Sequence, residues 1–72
     1  MTELNETPLE MARRHVVEGE ARCARQAALV DRLRAHGHDT AVAEDLLAEL
    51  EATLVDMREH RRRLENDQGD GR

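Results

Sequence analysis

Four histidines (His15, His36, His38 and His60) and one cysteine, Cys23, are the side chains best suited to hold a metal. Zinc requires three or four N, S or O donors converging within about 2.0–2.3 Å of the ion. No His-x-x-x-His or Glu-x-x-His pair places two donors on one helix face. Cys23 reads as a small buried hydrophobe, since no neighbouring Lys or His favours its thiolate. The run Arg58-Glu59-His60-Arg61-Arg62-Arg63 is the best candidate for binding an anion, with Arg13 and Arg14 beside it if the chain folds back. All eleven basic residues are arginine, whose forked, weakly hydrated cation suits carboxylate and phosphate. Glu20 and Asp56 form the candidate carboxylate pair. A raised carboxyl pKa there could serve acid–base chemistry, but only beside a cleft that holds a substrate.

Composition narrows these options. The chain has 72 residues, a formal net charge of −5 and no Phe, Trp or Tyr. A chain this short buries a small fraction of its surface and is marginal alone. Without aromatic rings it lacks the largest core anchors and the stacking surfaces of most single-strand nucleic-acid binders. One cysteine gives no internal disulfide. No apolar run approaches the roughly 20 residues that span a bilayer, and no signal-peptide pattern is present, so the expected location is the cytoplasm.

The elements that must position these residues are helices. Residues 1–6 are expected to be a disordered lead-in. Thr7-Pro8-Leu9-Glu10 is a helix start: Thr7 suits the N-cap, Pro8 the first helical position and Glu10 a capping box. The first helix should run over 8–36, with Leu9, Ala12, Val16, Gly19, Cys23, Gln26, Val30 and Leu33 recurring at steps of three and four. A turn over 37–39 follows. Gly37 fits the left-handed position that ends a helix, and Asp39 or Thr40 can cap the next. The second helix should run over 40–65. Its stripe is Ala43, Leu46, Leu47, Leu50, Leu54, Met57 and Leu64, with Thr53 and His60 at intermediate positions. Residues 66–72 are expected to be disordered.

Two long helices joined by about three residues fold back as an antiparallel αα-hairpin, so the fold class is all-α. Facing residues should then have numbers summing to about 76. That register opposes Gly19 to Met57, Gln26 to Leu50, Cys23 to Thr53 and Val16 to His60, and pairs Arg32 with Glu44, Arg25 with Glu51 and Glu18 with Arg58. Residues 8–36 hold six Arg against four acids, a net of +2. Residues 39–57 hold six acids and no base, and residues 58–65 hold four Arg against two Glu. The hairpin is therefore acidic near the turn and basic at its open end.

A hairpin has a seam but no enclosed core. Leu46, Leu47, Leu50, Leu54 and Met57 cover more width than one small-residue helix can bury, and Leu29 lies off the main seam. These six residues are the expected interface. A symmetric dimer forming a four-helix bundle would cover it, as would docking on a larger helical protein. An antiparallel arrangement of two hairpins would bring basic end to acidic turn.

The stretch His15-Val16-Val17-Glu18-Gly19-Glu20-Ala21-Arg22, then Arg25-Gln26, Leu29-Val30 and Gly37-His38-Asp39-Thr40 with Ala43-Glu44-x-Leu46-Leu47, resembles a group of short alphaproteobacterial proteins usually described as hypothetical. The resemblance covers residues 15–64. It implies a bacterial source and a helical hairpin, and carries no activity or catalytic residue.

The functional expectation is a non-enzymatic protein–protein interaction or oligomerisation module, with no catalytic residues, cofactor or resident metal. The alternative is a small regulator that binds nucleic acid or another polyanion through Arg13, Arg14, Arg61, Arg62 and Arg63 at the open end. A third reading, metal binding by His15 and His60 with a partner's turn histidines, requires a dimer first.

Overall fold

In the computed structural model the chain forms two helices, α1 (Pro8–Ala35) and α2 (Ala41–Asp70), packed against each other as a hairpin. The structure describes residues 6–70. Residues 1–5 of the lead-in expected over 1–6, and the last two residues of the tail expected over 66–72, lie outside that range.

Helix α1 starts where its sequence says it should. The Thr7 hydroxyl accepts from the Glu10 N–H, and the Glu10 carboxylate accepts from the Thr7 N–H, both at 3.0 Å. Two otherwise orphaned donors are satisfied this way. The helix ends one residue earlier than expected, at Ala35, with His36 as its C-cap. The His38 N–H donates to the Leu33 carbonyl and the Gly37 N–H to the Arg34 carbonyl. This nested pair of bonds needs a left-handed residue, and Gly37 supplies it at φ +74°. Of the two candidate caps of α2, only Asp39 accepts a backbone N–H. The Asp39 carboxylate accepts from the Ala41 N–H, while the Thr40 hydroxyl donates to Glu44.

Three further boundaries differ from the sequence reading. Helix α2 begins at Ala41, one residue later than expected. Glu6 is not part of a free lead-in, because its carboxylate binds Arg14. Helix α2 continues five residues past Glu65, to Asp70. No proline interrupts it there, and each added residue closes one more backbone bond at no nucleation cost.

The seam is a strict heptad on both helices. On α1 it is the expected one. On α2 it runs Ala43, Leu47, Leu50, Leu54, Met57, Arg61 and Leu64, each at least half-buried. Leu46, Thr53 and His60 are exposed. They belong to the next row of the helix, one position before the seam, and Arg61 replaces His60 inside it. Among the described residues the buried side chains are few, namely Leu9, Ala12, Val16, Val30 and Leu54, and Val16 is the most deeply enclosed.

The helices approach closely at Gly19. A Cβ there would lie 3.1 Å from Leu54 Cδ1 and 3.2 Å from Met57 Sδ. Gln26 is a polar seam residue, and it does not face Leu50 alone. Its side-chain amide donates to the Ala43 carbonyl at 2.9 Å, reaching towards the turn. A polar seam group with one partner pins the register, because sliding the helices leaves it unpaired.

The result is a flat, elongated layer measuring 55 × 28 × 14 Å. Its accessible surface is 5430 Å². A compact folded chain of 8.2 kDa would expose about 4,500 Å².

Candidate interaction surface

The two edges of the seam are chemically different. One carries an ion-pair ladder: Arg13 with Glu65, Glu20 with Arg58 and Arg34 with Glu44. The numbers in each pair add to 78. These residues occupy the same heptad position on both helices, which faces itself across an antiparallel pair. The register offset corrects the expected pairs. Glu44 takes Arg34 rather than Arg32, and Arg58 takes Glu20 rather than Glu18. Arg25 and Glu51 form no ion pair with each other among the described residues. Glu20, expected beside Asp56, instead bonds Arg58 at 3.0 Å. Glu20 is thus an ion-pair partner of Arg58 rather than half of a carboxylate pair. The pairs are exposed, so each is worth about 0.2–1 kcal/mol and mainly fixes alignment.

Among the described residues the other edge has no such ladder. It presents His15, Arg22 and Leu29 on α1 and Leu46, Thr53 and His60 on α2. Midway along it, the missing side chain of Gly19 leaves an open groove of about 270 Å³ lined by His15, Glu18, Gly19, Arg22 and Met57. Met11 and Val42 lie on the outer shoulders of this same edge, 40% and 83% exposed, and Leu46 is 45% exposed. Val17 and Val55 are exposed on the shoulders of the ladder edge.

The six expected interface residues therefore separate. Leu54 is only 6% exposed and is used inside the hairpin, packed over Gly19. It is withdrawn from any intermolecular surface because glycine lets it sink. Leu47, Leu50 and Met57 are half-buried in the seam, Leu29 is half-buried beside it, and Leu46 is exposed. Met11, Val17, Val42 and Val55 were not anticipated. Their signal is present in the sequence: each is an apolar residue off the heptad seam, visible once the seam is assigned as 43, 47, 50, 54, 57, 61 and 64.

The five arginines of the open end are differently engaged. Arg14 grips Glu6 with two bonds of 2.9 Å and also bonds Glu18 at 3.2 Å. Its guanidinium holds the Glu6 carboxyl below the usual carboxylate range, and the two carboxylates raise the Arg14 pKa. Arg13 and Arg61 both approach Glu65, at 3.5 and 4.0 Å. The Arg61 Nε is buried without a hydrogen-bond partner. Arg62 and Arg63 are exposed. The basic run of α2 does not neutralise the helix's C-terminal end. It lies two turns before that end, and the dipole's influence fades within one.

The histidines divide between the ends. His36 and His38 stack at the turn with ring centroids 6.4 Å apart, and the His36 Nδ1 bonds the Arg32 carbonyl. His15 and His60 lie at the other end, along the edge without the ladder. Among the described residues, no three His, Cys, Asp or Glu side chains converge on one point. Cys23 is half-buried in the seam, and Thr53 turns away from it to bond the Glu49 carbonyl. Among the described residues, no helix is long and apolar enough to cross a membrane.

Comparison with family models, curated proteins and solved structures finds no match to this chain.

Proposed function

We propose that the chain is a non-enzymatic protein–protein interaction module whose hairpin associates with a second copy of itself to form a four-helix bundle. One observation carries this reading. The hairpin leaves Met11, Val42 and Leu46 exposed at 40%, 83% and 45% on a single edge, an apolar surface that its own two helices do not cover. A layer one helix thick cannot enclose a core, so the physical remedy is a second layer. Dimerisation supplies it without any other component.

Sedimentation equilibrium at micromolar concentration tests the proposal. A species of twice 8.2 kDa is expected. A folded monomer throughout that range refutes self-association and leaves docking on a larger helical protein.

The polyanion reading has less support. Arg13, Arg14 and Arg61 each have a carboxylate within 4.0 Å, so an incoming phosphate must compete with it. Binding to a labelled duplex across a salt series measures what remains. Affinity at low salt that disappears when Arg61, Arg62 and Arg63 are replaced by Ala would favour it.

A further inference from the structure

We infer that the second copy docks head to head on the edge that lacks the ion-pair ladder, with the two turns at the same end of the bundle; this rests on the self-association proposed above. The choice of edge follows from what each edge offers. The ladder edge places three exposed ion pairs along the seam. Covering them would desolvate six charges with little gain. The opposite edge offers Leu29, Leu46 and Val42 near the turn, and the groove beside Gly19 further along.

The choice of direction follows from how charge is divided between the helices. On this edge α1 presents Arg22, Arg25 and Arg32, while α2 presents Glu49, Asp56 and, towards the open end, Arg63. Two hairpins packed face to face about a two-fold axis have two options. If the turns lie at opposite ends, α1 covers the partner's α1 and α2 covers the partner's α2. At the centre Arg22 then meets the partner's Arg22 and Asp56 the partner's Asp56, while Glu49 nears the partner's Arg63 and Arg25 nears the partner's Glu18, already engaged by Arg14. If the turns lie at the same end, each α1 covers the partner's α2. Arg25 then sits within one turn of the height of the partner's Glu49, and Arg22 within one turn of the partner's Asp56. The one acid on this edge of α1, Glu18, already accepts from Arg14.

The same arrangement matches apolar groups by height. Leu29 and Leu46 are level with each other across the hairpin. A head-to-head partner therefore brings four leucines into one layer, with Val42 at its margin. His15 and His60 form a second, polar layer at the far end. Reversing one hairpin would lay the leucines over the histidine end instead. The segment charges read from sequence pointed to the antiparallel arrangement because they average over each helix. The structure separates the inward edge from the outward one, and the inward charges reverse the choice.

The edge is tested by two substitutions at matched exposure. Leu46 is 45% exposed and Val55 is 50% exposed, on opposite edges of the same helix. Leu46→Asp should weaken dimerisation at least about tenfold, while Val55→Asp leaves it within about twofold. Leu46→Gln, which keeps helix propensity, is measured beside them, with helicity followed by circular dichroism. The direction is tested by a spin label on His38→Cys in a Cys23→Ala background. Head-to-head docking gives a label separation well under half of the 55 Å long dimension. A monomeric wild-type chain would defeat the self-association proposal itself. A dimer that survives both Leu46 variants, or is lost in Val55→Asp alone, would overturn the edge. A label separation near the full length would overturn the direction.

Discussion

Gly19→Ala is the sharpest test of the close approach that organises this hairpin. Glycine within a helix costs about 1 kcal/mol relative to alanine, so at an open position the substitution stabilises by that amount. Here the new Cβ meets Leu54 Cδ1 at 3.1 Å and Met57 Sδ at 3.2 Å, both tighter than ordinary contact. Met57 is half-buried at the groove and can swing aside, but Leu54 is buried and has less room. Displacing it from its rotamer costs about 0.5–1.5 kcal/mol. The two terms cancel, and Gly19→Ala in the wild-type chain should change stability by less than about 0.5 kcal/mol. Leu54→Ala removes a side chain that is 6% exposed, over a glycine that cannot fill the hole, and should cost about 3 kcal/mol. With Leu54 shortened, the methyl group added by Gly19→Ala meets no obstacle there and occupies part of the void. The double variant should therefore cost about 2 kcal/mol, leaving a coupling of about 1 kcal/mol. Urea unfolding followed by circular dichroism at fixed protein concentration measures all four corners of the cycle. If Gly19→Ala alone gains the full 1 kcal/mol or so and the coupling is zero, the helices do not touch at Gly19.

Other substitutions probe the ends. Thr7→Ala removes one acceptor of the capping box and should destabilise by about 1 kcal/mol, read from the same unfolding curves. Gly37→Ala forces a Cβ into a left-handed conformation at φ +74°, with a cost of about 1–2 kcal/mol and no loss of helicity in the folded spectrum. The Glu6 carboxyl, hydrogen-bonded by Arg14, should titrate below the ordinary value of 4.5, and Arg14→Gln should return it there. The unfolded chain protonates this carboxyl at higher pH than the folded one. The contribution of the clamp is thus complete above the ordinary value and fades as pH falls through the lowered one, which NMR titration of the carboxyl carbon will follow.

Much of the local structure was legible in the sequence because its causes are local. Thr7, Pro8 and Glu10 start α1, and Gly37 ends its turn, through bonds spanning at most five residues. The continuation of α2 to Asp70 was missed for the complementary reason. Asn66, Asp67 and Gly69 are poor helix formers, yet an existing helix extends through them more easily than one could begin. The α2 seam was only half legible. Leu46 and Leu47 are adjacent and both apolar, so the stripe allowed either to face α1. The choice of Leu47 places Arg61 in the seam and sends His60 outward, and no property of Arg61 or His60 alone predicts that.

The sequence by itself determined two helices, their caps, the turn and the antiparallel pairing, since periodicity and a short connection leave one economical solution. Only the tertiary structure decided which edge each off-seam residue occupies. On the ladder edge the paired numbers add to 78 rather than 76, so Arg58 takes Glu20 instead of Glu18 and Glu44 takes Arg34 instead of Arg32, while Gly19 still faces Met57. The spacing of the two helices is set by the depth at which Leu54 and Met57 settle over Gly19 and by the bond between Gln26 and Ala43. Both are contacts between helices, and their geometry depends on packing distances that residue spacing along one chain does not encode. Through them the hairpin acquires one edge satisfied by its own charges and one edge that is not.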